Sequence, residues 1–162
     1  WRLPGRVGGV ALGSVKGSRR AWVMVAELIV CVRVNSSKPG GLFTPQGRVE
    51  LLRRVTEGLS GVRVDCWDGL VADYARRNQA RVLVKGLRAV SDYESEIQMA
   101  MLNTKLYSRL DTVFLYTSPK YAYLSSTVVK EMARYGSDLS DLVPRQIIED
   151  VEQKVRGAQE RT

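Results

Sequence analysis

The 162-residue sequence is 44% hydrophobic and 26% charged, the composition of one globular domain rather than a tail, a fibre or a repeat array. It contains no histidine, which excludes every mechanism that needs an imidazole, and its two cysteines, Cys31 and Cys66, lack the Cys-x-x-Cys spacing of a zinc ribbon or dithiol enzyme. The net charge of +8 is uneven: residues 1–40 hold +6 and the rest only +2, which favours an anion-binding pocket and a basic N-terminus over a nucleic-acid face spread across the fold.

Residues 1–24 set Gly5, Gly8, Gly9, Gly13 and Gly17 among arginines and valines and offer no clear strand, helix or cap. The Gly-Ser-Val-Lys-Gly-Ser stretch at 13–18 lacks Walker spacing and a preceding strand, so it reads as accidental glycine-rich sequence. The apolar stretch 21–32 is interrupted by Glu27 and falls short of the ~20 residues of a membrane span. Arg19-Arg20 ahead of it resembles an export signal, but Glu27 and the lack of a small-residue cleavage site favour a buried strand and a cytoplasmic protein.

From residue 28 the pattern becomes regular. The β-branched run 28–34 predicts a buried strand that leaves into the polar loop 35–41. Thr44 as N-cap and Pro45 at the first helical position open a helix whose stripe is Leu51, Leu52, Val55 and Leu59, closed by Gly58 or Gly61. A second strand spans 62–67, and Leu70, Val71, Tyr74 and Ala75 form one face of a helix over 69–78. A third strand spans 81–84. Ser91 or Asp92 starts a helix with Tyr93, Ile97, Ala100 and Met101 inward, and 112–116 is a fourth strand. A helix begins near Ser125 with Val128, Val129 and Met132 buried, and another follows Pro144 with Ile147, Ile148, Val151 and Val155 buried. Strands alternating with helices predict right-handed crossovers and a doubly wound, Rossmann-like parallel sheet.

In such a sheet ligands bind beyond the carboxyl ends of the strands. The polar signal collects there: Lys38 after the first regular strand, Lys85-Gly86-Leu87-Arg88 after the third, and Thr117-Ser118-Pro119 followed by Leu124-Ser125-Ser126-Thr127 after the fourth. Cations and a helix N-terminus together suit a polyphosphate. Each element also has a plainer reading: Lys38 as a solvated loop charge, Ser125 as an ordinary N-cap, Arg88 as the partner of Asp92 or Glu96.

Two blocks are more specific. Residues 84–100 (Val-Lys-Gly-Leu-Arg-Ala-Val-Ser-Asp-Tyr-Glu-Ser-Glu-Ile-Gln-Met-Ala) and 124–131 (Leu-Ser-Ser-Thr-Val-Val-Lys-Glu) closely resemble bacterial phosphopantetheine adenylyltransferases of the nucleotidyltransferase superfamily. The resemblance runs from about Glu27 to Pro144 and takes in Val34-Asn35-Ser36-Ser37-Lys38, Leu42-Phe43-Thr44 and Asp68-Gly69-Leu70. It implies the penultimate step of coenzyme A synthesis: adenylyl transfer from ATP to 4′-phosphopantetheine, with Mg²⁺, in a cytoplasmic homohexamer that engages neither nucleic acid nor membrane.

By the same resemblance, Lys38 and Lys85 contact the phosphate of phosphopantetheine, and Leu70 and Val71 line its arm. Lys85, Gly86, Arg88, Glu96, Leu124, Ser125 and Ser126 belong to the ATP site, with Arg88 on the phosphates, Glu96 near the ribose, and Lys38 and Arg88 as the catalytic cations. No resident metal ligand and no protein nucleophile are implied, so positioning and charge stabilisation carry the reaction.

The sequence departs from the family at its start. The Pro-Gly-Ser/Thr-Phe-Asp-Pro turn and the Thr-x-Gly-His motif, whose Thr and His contact the reacting phosphates, are absent, with only Leu3-Pro4-Gly5 echoing the Pro-Gly. Gly47 replaces the usual Glu, Ser95 the usual aromatic, and the 39–41 loop has one extra residue. Residues 1–26 therefore read as an anomalous segment, a frameshift or a misassigned start, ahead of a single nucleotidyltransferase domain at 27–162. The alternatives are a non-catalytic phosphopantetheine or nucleotide binder and a basic nucleic-acid binder, the latter without any aromatic interleaving to support it.

Overall fold

The computed structural model describes residues 8–12, 25–34, 41–87, 90–116 and 122–159. Among them, five strands, β1 (Gly8–Leu12), β2 (Glu27–Arg33), β3 (Val62–Trp67), β4 (Val82–Leu87) and β5 (Asp111–Tyr116), form one sheet in the order β3-β2-β1-β4-β5. Every pairing is parallel. The helices are α1 (Pro45–Thr56), α2 (Val71–Arg77), α3 (Val90–Leu106), α4 (Ser126–Arg134) and α5 (Ile148–Gln159), the last entered through a 3₁₀ turn at Arg145–Ile147. None of the described helices is long and apolar enough to cross a membrane.

The expectation of no strand within residues 1–24 is corrected by β1, which is the centre of the sheet. It pairs with β2 from Gly8↔Glu27 to Ala11↔Val30 and with β4 from Gly9↔Val82 to Leu12↔Lys85. Gly-Gly-Val-Ala-Leu offers one β-branched residue and no alternation, so its strand propensity is weak. Hydrogen bonding from a neighbour on each side compensates. The sheet is therefore not contained within residues 27–162.

Alternation within β2 explains its apolar run. Ile29 and Cys31 join Val71, Tyr74 and Ala75 of α2, while Leu28 and Val30 join Val82, Val84 and Leu52 of α1. A parallel strand buried on both faces reads as continuous hydrophobicity, and helices on both faces make the sheet doubly wound.

Helix α1 starts as its sequence dictates: Thr44 Oγ1 accepts a bond of 3.1 Å from the Gly47 N–H, and Pro45 occupies the first helical position. It ends at Thr56, leaving Leu59 outside, and Gly58 and Gly61 carry the positive φ of the turn into β3. Strand β4 extends through Leu87, three residues past the predicted end at 84, because β5 continues to pair with it at Lys85↔Phe114, Gly86↔Leu115 and Leu87↔Tyr116. Lys85, Gly86 and Leu87 are thus strand residues.

Three inward assignments are also corrected. Met101 of α3 and Met132 of α4 are exposed, Tyr93 is part exposed with its ring against Phe114, and among the described residues the buried positions of these helices are Asn103 and Ala133. Ala133 packs with Leu139, Val151 and Val155 to hold α4 against α5, while Ile147 joins Leu51 and Val55 of α1. An Arg54 to Asp150 ion pair of 2.7 Å adds a second tie between α1 and α5.

Candidate active site at the strand carboxyl ends

All five strands run in one direction, so the segments that follow them begin at one end of the sheet. The strand order reverses between β1 and β4, the crevice at which open α/β sheets receive ligands. Lys85 sits on this crevice, in register with Leu12, the last residue of β1. Its side chain shares a face of β4 with Leu83 and Leu87, both essentially fully buried, and it is itself only 12% exposed.

A cation in that setting needs a counter-charge. Glu96, in the second turn of α3, supplies it: the Lys85 ammonium donates to Glu96 Oε2. The structure thus brings together two residues that the sequence places eleven apart. Gly86, one position on, is a paired strand residue opposite Leu115 of β5.

The other expected residues divide into three groups. Leu70 and Val71 follow β3, with Val71 buried at the start of α2 and Leu70 half exposed at its N-cap position. The Leu70 carbonyl accepts a 3.0 Å bond from Trp67 Nε1, so the tryptophan at the end of β3 fixes the turn that presents Leu70. Leu124, Ser125 and Ser126 follow β5, and Ser125 Oγ accepts from the Val128 N–H at 3.2 Å as the N-cap of α4. This is the plainer of its two readings, though the remaining N–H groups of the first turn still point out of the helix. Lys38, Arg88 and the residues at 13–18 and 117–119 lie outside the described residues.

Sequence reasoning missed one polar cluster on the same sheet. Asp65 Oδ2 accepts from the Tyr74 hydroxyl at 2.6 Å, and Oδ1 accepts from the Cys66 N–H at 2.8 Å. The Tyr74 bond, helped by Cys66 and by Arg63, holds the Asp65 carboxyl below the usual carboxylate range against an opposing contribution from burial. Burial and the Asp65 hydrogen bond push the Tyr74 hydroxyl upward, and burial beside Asp65 pushes the Cys31 thiol up to about 12. The cluster ties β3 to α2. Its only sequence signal was an acid at an inward-facing strand position.

Among the described residues no three carboxylate or thiol side chains converge on a point.

The cytidylyltransferase-like family matches residues 15–132. A phosphopantetheine adenylyltransferase from Clostridium botulinum is 41% identical over 157 residues, covering 97% of this chain and 95% of the relative. Another, from Lachnoclostridium phytofermentans, is 44% identical over 154 residues, covering 95% and 94%. The fold and crevice define a nucleotidyltransferase-type α/β domain. Within that class, the chain belongs to the phosphopantetheine adenylyltransferase family. The first of these matches leaves at most five residues of this chain outside it, so it runs through most of the glycine-rich N-terminal segment.

Proposed function

We propose that this chain transfers the adenylyl group of ATP to 4′-phosphopantetheine, in the cytoplasm, as a step of coenzyme A synthesis. An oxygen of the phosphopantetheine phosphate attacks the α-phosphorus in line. The bond from that phosphorus to the β-phosphate oxygen breaks, pyrophosphate leaves, and dephospho-coenzyme A forms. The observation that carries this reading is Lys85, a nearly buried cation at the switch point of a sheet whose family performs this transfer.

In this reading Lys38 and Lys85 receive the phosphate of phosphopantetheine, and Leu70 and Val71 flank its arm. Arg88 and the Gly86 backbone serve the ATP phosphates, Glu96 the ribose region, and Leu124, Ser125 and Ser126 the adenylyl end. The work is positioning and charge stabilisation, because no side chain needs to form a covalent bond. Mg²⁺ would enter on the phosphates of the nucleotide and help neutralise their charge. The assembly is a homo-oligomer, a homohexamer by family.

Activity is tested by pyrophosphate release with ATP and 4′-phosphopantetheine. Loss of one preorganised charge stabiliser typically slows such a reaction by ~10²–10³. This chain has no histidine, and its N-terminal segment lacks the family's Thr-x-Gly-His. It is therefore expected to turn over more slowly than a family member by at least that order while still binding nucleotide. A chimera with a family N-terminus in place of residues 1–26 should recover the rate. A native chain as fast as the chimera would show that the absent histidine is unimportant, and binding without turnover in both would establish a non-catalytic binder.

A further inference from the structure

Lys85 and Glu96 serve different ligands in the proposed reaction, yet in the structure they hold each other. Lys85 is rooted in β4, a strand paired on both sides, and its stem lies between Leu83 and Leu87, so its ammonium has little freedom to leave the crevice. Glu96 is on a helix, its side chain about a third exposed, and a rotation at its own Cβ reaches water. The carboxylate is the movable member of the pair. A phosphate that reaches the Lys85 ammonium meets the Glu96 carboxylate on the same donor, and two anions at that distance repel.

We propose that Glu96 is a built-in counter-ion of the phosphate subsite: it centres the Lys85 ammonium at the switch point and is displaced by the phosphate Lys85 receives, so it sets phosphate affinity by competition. The inference rests on the reading of Lys85 as a phosphate ligand. Glu96 acts here through Lys85, as a positioning residue. Two effects follow with opposite signs. Neutralising Glu96 releases Lys85 to the anion and tightens binding, whereas losing the hold on Lys85 lets the bound phosphate wander and slows the chemical step.

The test titrates inorganic pyrophosphate and 4′-phosphopantetheine, without ATP, into the full chain and into Glu96→Gln, Glu96→Asp, Lys85→Met and the Lys85→Met, Glu96→Gln double variant. Glu96→Gln is expected to bind both anions roughly 3- to 10-fold more tightly, with kcat lowered in the complete reaction. Glu96→Asp, one methylene shorter, should fall between Glu96→Gln and the native chain in both respects. The gain should vanish in the double variant compared with Lys85→Met. Circular dichroism confirms that each variant is folded, and Glu96→Asp carries the test if Glu96→Gln is not. Unchanged or weaker anion binding in a folded Glu96 variant overturns the proposal, as does a gain that survives Lys85→Met. Tighter pyrophosphate binding without any turnover would uphold the counter-ion and defeat the adenylyl-transfer reading. Turnover with anion affinity indifferent to Glu96 would do the reverse.

Discussion

Asp65 is a carboxylate in the sheet whose charge is held by a phenol. Its carboxyl lies below the ordinary range chiefly because the Tyr74 hydroxyl donates to it. A depressed carboxylate stabilises the fold at pH values above its unfolded pKa, about 3.9, and that contribution disappears as pH falls through the folded value. Tyr74→Phe keeps the ring in its buried cluster and removes only the bond. It should cost about 1 kcal/mol at pH 7, and the gap from the native chain should narrow in acid as Asp65 protonates. Urea unfolding at pH 7 and pH 3 checks both. A second residue-scale constraint is purely steric. Gly61 has φ +73, and a Cβ there would lie 2.9 Å from the Ala26 carbonyl oxygen, whereas Gly58, at φ +83, has open space around it. Gly61→Ala should therefore destabilise by about 2 kcal/mol and Gly58→Ala by about 1 kcal/mol in the same assay.

Strand β1 shows where an element's position outweighs its composition. It bridges β2 and β4, so without it the sheet separates into a β3-β2 pair and a β4-β5 pair. Proline at Val10, inside this central strand, removes a ladder donor and should cost about 3 kcal/mol or more, read as a lowered urea midpoint or loss of the folded state. A chain as stable with the proline as without it would detach residues 8–12 from the sheet. The elements that were legible in sequence carry local signals: Thr44-Pro45 announces α1, and the apolar run ahead of Asn35 announces β2. β1 carries none, since two of its five residues lack side chains and its partners are distant in sequence. The end of β4 was obscured for the opposite reason, because Lys85-Gly86 has the composition of a loop but the pairing of a strand. The candidate site follows the same rule. The loops at one end of the sheet could be read from strand and helix order, but the Lys85 to Glu96 bond could not, since it depends on how α3 crosses β4.

At the scale of the whole molecule, the surface of α3 is the feature that a single chain leaves without a purpose. Met99, Leu102 and Leu106 lie at i, i+3 and i+7 on one side of the helix, and Met101 is exposed next to Leu102 in the chain. Met101 alone is 69% exposed. A contiguous apolar stripe of this kind on a helix of 17 residues marks an interaction surface more often than a solvated face. Hydrophobic burial at roughly 25 cal/mol per Å² makes its coverage favourable. The stripe supports the proposed homo-oligomer, with α3 of one copy meeting an apolar surface of another. Glutamates at 101 and 102 would place two unpaired charges in that contact while leaving the buried side of the helix, Asn103 included, untouched. The Met101→Glu, Leu102→Glu variant is therefore expected to sediment as a smaller species than the native chain, with the helical circular dichroism signal retained. A native chain that sediments as a monomer, or a double variant that sediments unchanged, would show that α3 is not the contact between copies.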